Sequence, residues 1–182
     1  MNRITCTLRL VFLFSITLLP VLPVRAQSGE KAIRATLQRY FTTLKSGQYQ
    51  KLYDSLPTSF QKQTTREEIA GNLERLGQFL KVQRMEIGKI EQHGEFAVAE
   101  TTIYGLLTKP LTLDGTQIRQ GRVTAQQYLI REGGAWKIAS TSERSLRSFL
   151  KERPEVASLF QQSHTRFELF SQGTWVRLPG SR

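Results

Sequence analysis

Apolar residues recur at helical spacing through the first part of the chain and at strand spacing through its middle. Ile33, Leu37, Tyr40, Phe41 and Leu44 form one stripe of a helix that Ser28 can cap and Gly47 can end. A serine hydroxyl serves the free amides of a first turn, and glycine tolerates the reversed backbone beyond the last. Leu52, Tyr53 and Leu56 mark a second, shorter helix over 49–56, stopped by Pro57, which has no amide proton to give. Thr65 followed by Glu68 has capping-box spacing and opens a third helix, with Ile69, Leu73, Leu76, Phe79 and Leu80 on its buried side.

Beyond Leu80 the period shortens to two and Val, Ile, Thr, Tyr and Phe become frequent, which predicts strands over 81–92, 95–107, 117–131 and 135–140. Gly88 reads as a bulge, His93-Gly94 as a turn, and Gly133-Gly134 as a tight reversal into Trp136-Lys137-Ile138. Lys109-Pro110 and Asp114-Gly115 punctuate the connection between the second and third strands. Helices followed by an antiparallel meander give an α+β class, with three N-terminal helices packed on a curved antiparallel sheet of about four strands. From Thr141 a C-terminal extension follows. Ser142 can cap a helix holding Leu146, Phe149 and Leu150, Pro154 opens another with Val156, Leu159 and Phe160, and 166–178 alternates around Gln172-Gly173 as a hairpin. Five aromatics, Phe149, Phe160, Phe167, Phe170 and Trp175, are too many for a solvated linker, so the extension is expected to pack on the domain or on a partner.

The chain opens with a different pattern. Arg3 and Arg9 precede an apolar run from Leu10 to Leu22, and Val24-Arg25-Ala26 offers small residues where a signal peptidase reads. The run is shorter than the roughly 20 residues a membrane-crossing helix needs. Residues 1–26 are therefore expected to be a cleaved signal peptide, 27–140 the domain and 141–182 its extension, in a secreted or periplasmic protein. The single cysteine, Cys6, leaves with the leader, so the expected product has no thiol, no disulfide and no cysteine-based metal site. Net charge is +11 for the chain and +8 once Arg3, Arg9 and Arg25 are removed. The bases are scattered, which fits weak association with anionic envelope polymers or headgroups and gives no groove for specific nucleic-acid binding.

Little of the remaining sequence carries chemistry. His93 and His164 lack metal-ligand spacing, no nucleophile elbow is present, and no glycine-rich phosphate loop or dinucleotide fingerprint points to a cofactor. No metal and no cofactor are expected.

Four phrases resemble the nuclear transport factor 2-like superfamily, which includes SnoaL-like and ketosteroid-isomerase-like proteins. They are Leu44-Lys45-Ser46-Gly47-Gln48-Tyr49, Leu52-Tyr53-Asp54-Ser55-Leu56, Thr65-Arg66-Glu67-Glu68 and Gly133-Gly134-Ala135-Trp136-Lys137-Ile138. The resemblance covers roughly residues 30–140. It implies a cone between the first helix and a bent sheet, a small apolar ligand in that cone, and pairing of two copies through their sheets as a homodimer. The long extension departs from the family plan and would either fill the cone or cover the sheet.

Isomerase-like members use a carboxylate base and a phenol inside the cone. By that resemblance Asp54 and Tyr40 are the first candidates, against the plainer readings of a surface carboxylate beside Lys51 and a core tyrosine. On the second strand Phe96, Val98, Glu100, Thr102 and Tyr104 share one side and Ala97, Ala99, Thr101 and Ile103 the other. If the larger set faces the cone, Glu100 is a carboxylate among apolar groups and a candidate base. Gln126 and Tyr128 would then line the same cavity, with Tyr128 as donor and Arg122 marking an open end. The competing reading puts Glu100 in solvent, facing Arg119 or Arg131 across the ladder. Tyr40, Phe60, Glu100, Tyr104, Gln126, Tyr128 and Trp136 are thus the expected ligand-binding set. The leading expectation is an exported non-enzymatic binding domain, holding a small apolar ligand or a protein partner in its cone or on its sheet. A cofactor-independent isomerase, cyclase or dehydratase, and an envelope module that binds anionic polymer, are the alternatives.

Overall fold

A computed structural model describes residues 24–113, 115–139, 143–160 and 163–177. The apolar leader, Asp114, the Ser142 cap and Leu178 lie outside the described residues. The first helix, α1 (Val24–Lys45), begins four residues before Ser28, so that serine lies within helical backbone and does not start it. Past α1 the chain enters a 3-10 helix (Tyr49–Ser55) where an α-helix was expected, then a single turn, α2 (Thr58–Gln61), and α3 (Arg66–Gly77). The capping box of α3 is reciprocal: the Glu68 amide donates to Thr65 Oγ1 at 3.1 Å and the Thr65 amide to Glu68 Oε2 at 2.9 Å. The start of α2 is served from afar, the Thr58 amide and hydroxyl both donating to Glu132 Oε2 at 2.9 Å.

Four long or short strands follow: β1 (Leu80–His93), β2 (Phe96–Leu113), β3 (Thr116–Glu132) and β4 (Ala135–Ile138). All pair antiparallel, and the register slips at Gly88 as expected of a bulge. Lys109-Pro110 does not end β2. The proline sits in a second irregularity between Leu106 and Leu111, where its missing donor costs no ladder bond, and the strand runs on to Leu113. Gly133 and Gly134, at φ 56° and 81°, form the two left-handed positions of the turn into β4. Helices α4 (Glu143–Glu152) and α5 (Pro154–Leu159) come next, and then the hairpin β5 (Arg166–Ser171) and β6 (Thr174–Arg177). That hairpin joins the sheet through β5 and β3, making six strands in the order β1-β2-β3-β5-β6 with β4 also on β3.

The two faces of the curved sheet bury different cores. On one, Ile33 and Leu37 of α1 meet Ala97, Ala99, Leu129, Trp136 and Ile138, with Tyr40, Met85, Ile87 and Ile90 around them. On the other, Val98, Tyr128 and Ile130 meet Phe149, Val156 and Phe160 of the extension, closed at one end by Leu56 and Phe60. The extension therefore covers the sheet rather than filling the space under α1. Parity of the strands explains the split, since directly paired residues share a face and successive residues alternate.

Candidate functional site

The small set of β2, not the large one, lies under α1. Ala97 and Ala99 leave room for Ile33 and Leu37 to seat closely on the sheet, and all four are at most 1% exposed. Phe96, Val98, Glu100, Thr102 and Tyr104 point the other way, which corrects the expectation that the bulkier side lines a cone.

The expected ligand-binding residues are divided accordingly. Tyr40 and Trp136 belong to the α1 side, Phe60 sits among the apolar groups at the end of the opposite core, and Glu100, Tyr104, Gln126 and Tyr128 lie on that opposite face. On the α1 side, burial pushes the Tyr40 phenol up to about 12, so it stays protonated over the working range of most proteins. The strand positions sharing that face, Ala97, Ala99, Thr101 and Ile103 with Val123, Ala125, Gln127 and Leu129, include no carboxylate to act with it. Thr101 is 2% exposed and donates its hydroxyl to the Ala125 carbonyl at 3.2 Å.

Asp54 is exposed and away from any such cavity. Its two oxygens accept from Arg66 at 2.8 and 2.9 Å, and those hydrogen bonds, with the nearby charges of Arg66 and Lys137, hold it below the usual aspartate range. The partner is Arg66, not Lys51. Glu100 is exposed opposite Gln126 and against the Gly88 bulge, where its Cβ and Oε1 stand 3.5 and 3.6 Å from the position a Gly88 Cβ would take. It faces solvent, without a hydrogen bond or ion pair to Arg119 or Arg131 among the described residues. Tyr128 is 1% exposed and its burial raises the phenol. Its hydroxyl donates to Gln126 Oε1 at 3.3 Å, that same oxygen accepts the Ser163 amide at 2.8 Å, and the Phe160 ring packs edge-on at 6.4 Å. Gln126 and Tyr128 thus hold the extension down.

Past the covered end, the same face presents a row that sequence reading did not assemble. Arg84, Tyr104, Arg122, Glu168 and Arg177 are directly paired in turn across β1, β2, β3, β5 and β6. The Arg84 guanidinium stacks 3.6 Å from the Tyr104 ring centre, and Arg122 stands 4.5 Å from that of Trp175. Trp175 also meets Tyr104 at 5.8 Å and Phe170 at 5.1 Å. Arg122 grips Glu168 with two bonds of 2.8 and 3.0 Å, which hold that carboxyl below the glutamate range. Tyr104 donates its hydroxyl to Glu86 at 2.8 Å and Arg84 also bonds Glu86, so Glu86 is lowered too, the phenol being the larger cause. The signal was available only with the register in hand, because the five residues are scattered over more than ninety positions.

Two openings flank α1. A cavity of about 250 Å³ is lined by Leu44, Tyr49, Leu73, Gly77, Leu80 and Val82, among others, and an open groove of about 430 Å³ by Arg34, Gln38, Phe41, Thr42, Met85 and Ile87. Among the described residues no cluster of His, Cys, Asp and Glu could hold a metal ion, and no helix is long and apolar enough to cross a membrane.

No protein-family model matches the chain, and no curated protein matches it. Solved structures with a similar plan include a nuclear transport factor 2-like protein with a cystatin-like fold from Novosphingobium aromaticivorans, at 14% identity and TM-score 0.43, covering 69% of this chain and 91% of that one. A protein of unknown function from Mycobacterium tuberculosis aligns at 16% identity and TM-score 0.44, over 79% of this chain and 99% of its own. One from Catenulispora acidiphila aligns at 16% and 0.41, over 63% and 89%.

Proposed function

We propose that the chain is an exported, non-catalytic binding domain of the nuclear transport factor 2-like type, and that it works through the uncovered part of its sheet. The observation that supports this most is the Arg84–Tyr104–Arg122–Glu168–Arg177 row, a preorganised set of charged and aromatic groups left open where α4 and α5 stop. Export rests on the leader pattern ahead of Gln27, and peptide mapping that begins at Gln27 would support it.

A small apolar ligand beneath α1 is the weaker version. The sheet positions there are occupied by Ile33 and Leu37, the cavity of about 250 Å³ beside Leu44 is below the range of about 300–1,000 Å³ typical of small-molecule sites, and the groove of about 430 Å³ falls within that range but is open and carries Arg34, Gln38 and Thr42 on its wall. Isomerase chemistry asks for a carboxylate and a phenol converging on one cavity; Tyr40 has no such carboxylate on its face, and Tyr128, which shares the face of Glu100, lies under Phe160 while Glu100 stands in solvent. Face-to-face pairing of two copies is opposed by α4 and α5, which stand on the surface that would pair.

Hydrogen exchange of the protein with and without isolated cell-envelope fragments tests this reading. Protection is expected in β2, β3, β5 and β6 around the arginine row. Protection confined to α1 and its groove, or none, overturns it.

A further inference from the structure

The uncovered face combines two kinds of side chain that a single class of partner satisfies. Lys81 is paired with Leu106, one row outward from Arg84 and Tyr104, and Arg166 is paired with Thr124, one row inward. With Arg84, Arg122 and Arg177 these make five cations on the face, against three carboxylates, those of Glu86, Glu168 and, further inward, the exposed Glu100. The excess is positive, so the partner is anionic. Among these cations sit apolar groups left exposed. Leu106 is 40% exposed, Phe170 is 37% exposed, and Phe79, whose carbonyl accepts the Thr108 amide beside this row, is 71% exposed. Trp175 and Tyr104 add amphipathic rings between them.

A hydrated polyanion would engage the arginines and leave Phe79 and Leu106 in water. An apolar protein surface would cover the phenylalanines and strand the cations, and a second copy would oppose cation to cation. A bilayer with anionic headgroups answers both needs, because hydrocarbon lies a few ångströms beneath a plane of phosphates and the boundary favours Trp and Tyr. We infer that this face docks the protein on an anionic phospholipid membrane, an inference that rests on the binding-surface reading above. Phe79, Leu106, Phe170 and Trp175 enter the boundary between headgroups and chains, while Lys81, Arg84, Arg166 and Arg177 meet phosphate. The Arg122–Glu168 pair, stacked beneath Trp175, fixes the indole in place.

The test uses the chain expressed with its own leader and purified as the cell releases it. It is co-sedimented with vesicles of equimolar phosphatidylglycerol and phosphatidylcholine, and with phosphatidylcholine alone, while tryptophan emission is followed. Binding to the anionic vesicles with a blue shift is expected, and little binding to the neutral ones. Lys81→Glu changes the charge by two and should weaken binding roughly thirtyfold at low salt. Phe79→Ser, at a site already exposed and therefore harmless to the fold, should weaken it roughly tenfold. Phe167→Ser is the control: Phe167 is 45% exposed but pairs with Val123 on the α1 side, so its loss should leave binding unchanged. Equal weakening by Phe167→Ser overturns the assignment of the face. Binding to polyphosphate that Phe79→Ser leaves intact, without vesicle binding, overturns the membrane in favour of a polyanion. If vesicles fail and envelope fragments still protect the sheet face from exchange, the lipid inference falls while the binding-surface reading stands. If neither is seen, both fall.

Discussion

Phe149→Ala tests whether the extension is part of the fold. Phe149 projects from α4, is 2% exposed, and meets the rings of Phe60 at 6.3 Å and Phe96 at 6.5 Å, so one side chain joins the extension, the α2 turn and the sheet. Truncating a buried phenylalanine costs about 3–5 kcal/mol, through lost transfer energy and the cavity left behind. That is a large part of the 5–15 kcal/mol that holds a typical domain. With a urea slope of about 2 kcal/mol per molar, the unfolding midpoint should fall by about 2 M. Circular dichroism follows the helices, and the emission of Trp136, buried on the α1 side, follows the sheet. The two probes should move together. Leu159→Ala, at a site 39% exposed on α5, should shift the midpoint by less than about 0.5 M. An unchanged midpoint for Phe149→Ala, or loss of helix signal while Trp136 keeps its native emission, would show that the extension is an appendage and that the second core does not exist.

Further outcomes follow from single groups. Glu132→Ala removes the acceptor of both Thr58 bonds and should cost about 1 kcal/mol in chemical denaturation, with no change in the emission of Trp136. Glu168 is held below its unfolded value by Arg122, so its contribution is complete above the ordinary glutamate pKa and is lost as pH falls through the lowered one. Glu168→Gln should accordingly flatten the acid side of the stability profile and cost about 1 kcal/mol at neutral pH, and a variant that keeps the parent's acid slope would contradict this. The Tyr40 phenol is raised to about 12, so the folded state keeps a proton that the unfolded chain gives up near pH 10. Stability should fall as pH rises between those values, and Tyr40→Phe should make that fall shallower, leaving the part that the raised phenol of Tyr128 contributes, while a fall as steep as the parent's would contradict this.

Much of the fold was legible because it depends on local spacing. The capping box at Thr65 and Glu68, the bulge at Gly88 and the reversal at Gly133-Gly134 all rest on backbone chemistry within a few residues. The faces of β2 were separated correctly but matched to the wrong cover. Bulk alone points to a cavity lining, whereas a helix lying close on a sheet needs small residues beneath it, and Ala97-Val98-Ala99 carries that mark. The expected set divides because Tyr40 and Trp136 fall on the α1 face and Glu100, Gln126 and Tyr128 on the other, where the extension buries Tyr128 and leaves Glu100 in solvent. Asp54 found Arg66 rather than Lys51 because the 3-10 helix turns its side chain toward the start of α3. The arginine row could not be read at all, as its members meet only through the register of five strands.

Arg34 reaches from α1 to the outer strand and donates to the carbonyls of Ile87 at 3.1 Å and Gly88 at 3.3 Å, where the β1 ladder is already broken by the bulge. Both oxygens belong to the edge strand of the sheet, where an added strand would look for acceptors. By occupying them, a single side chain from the helix layer makes that stretch of the rim a poorer template for an added strand.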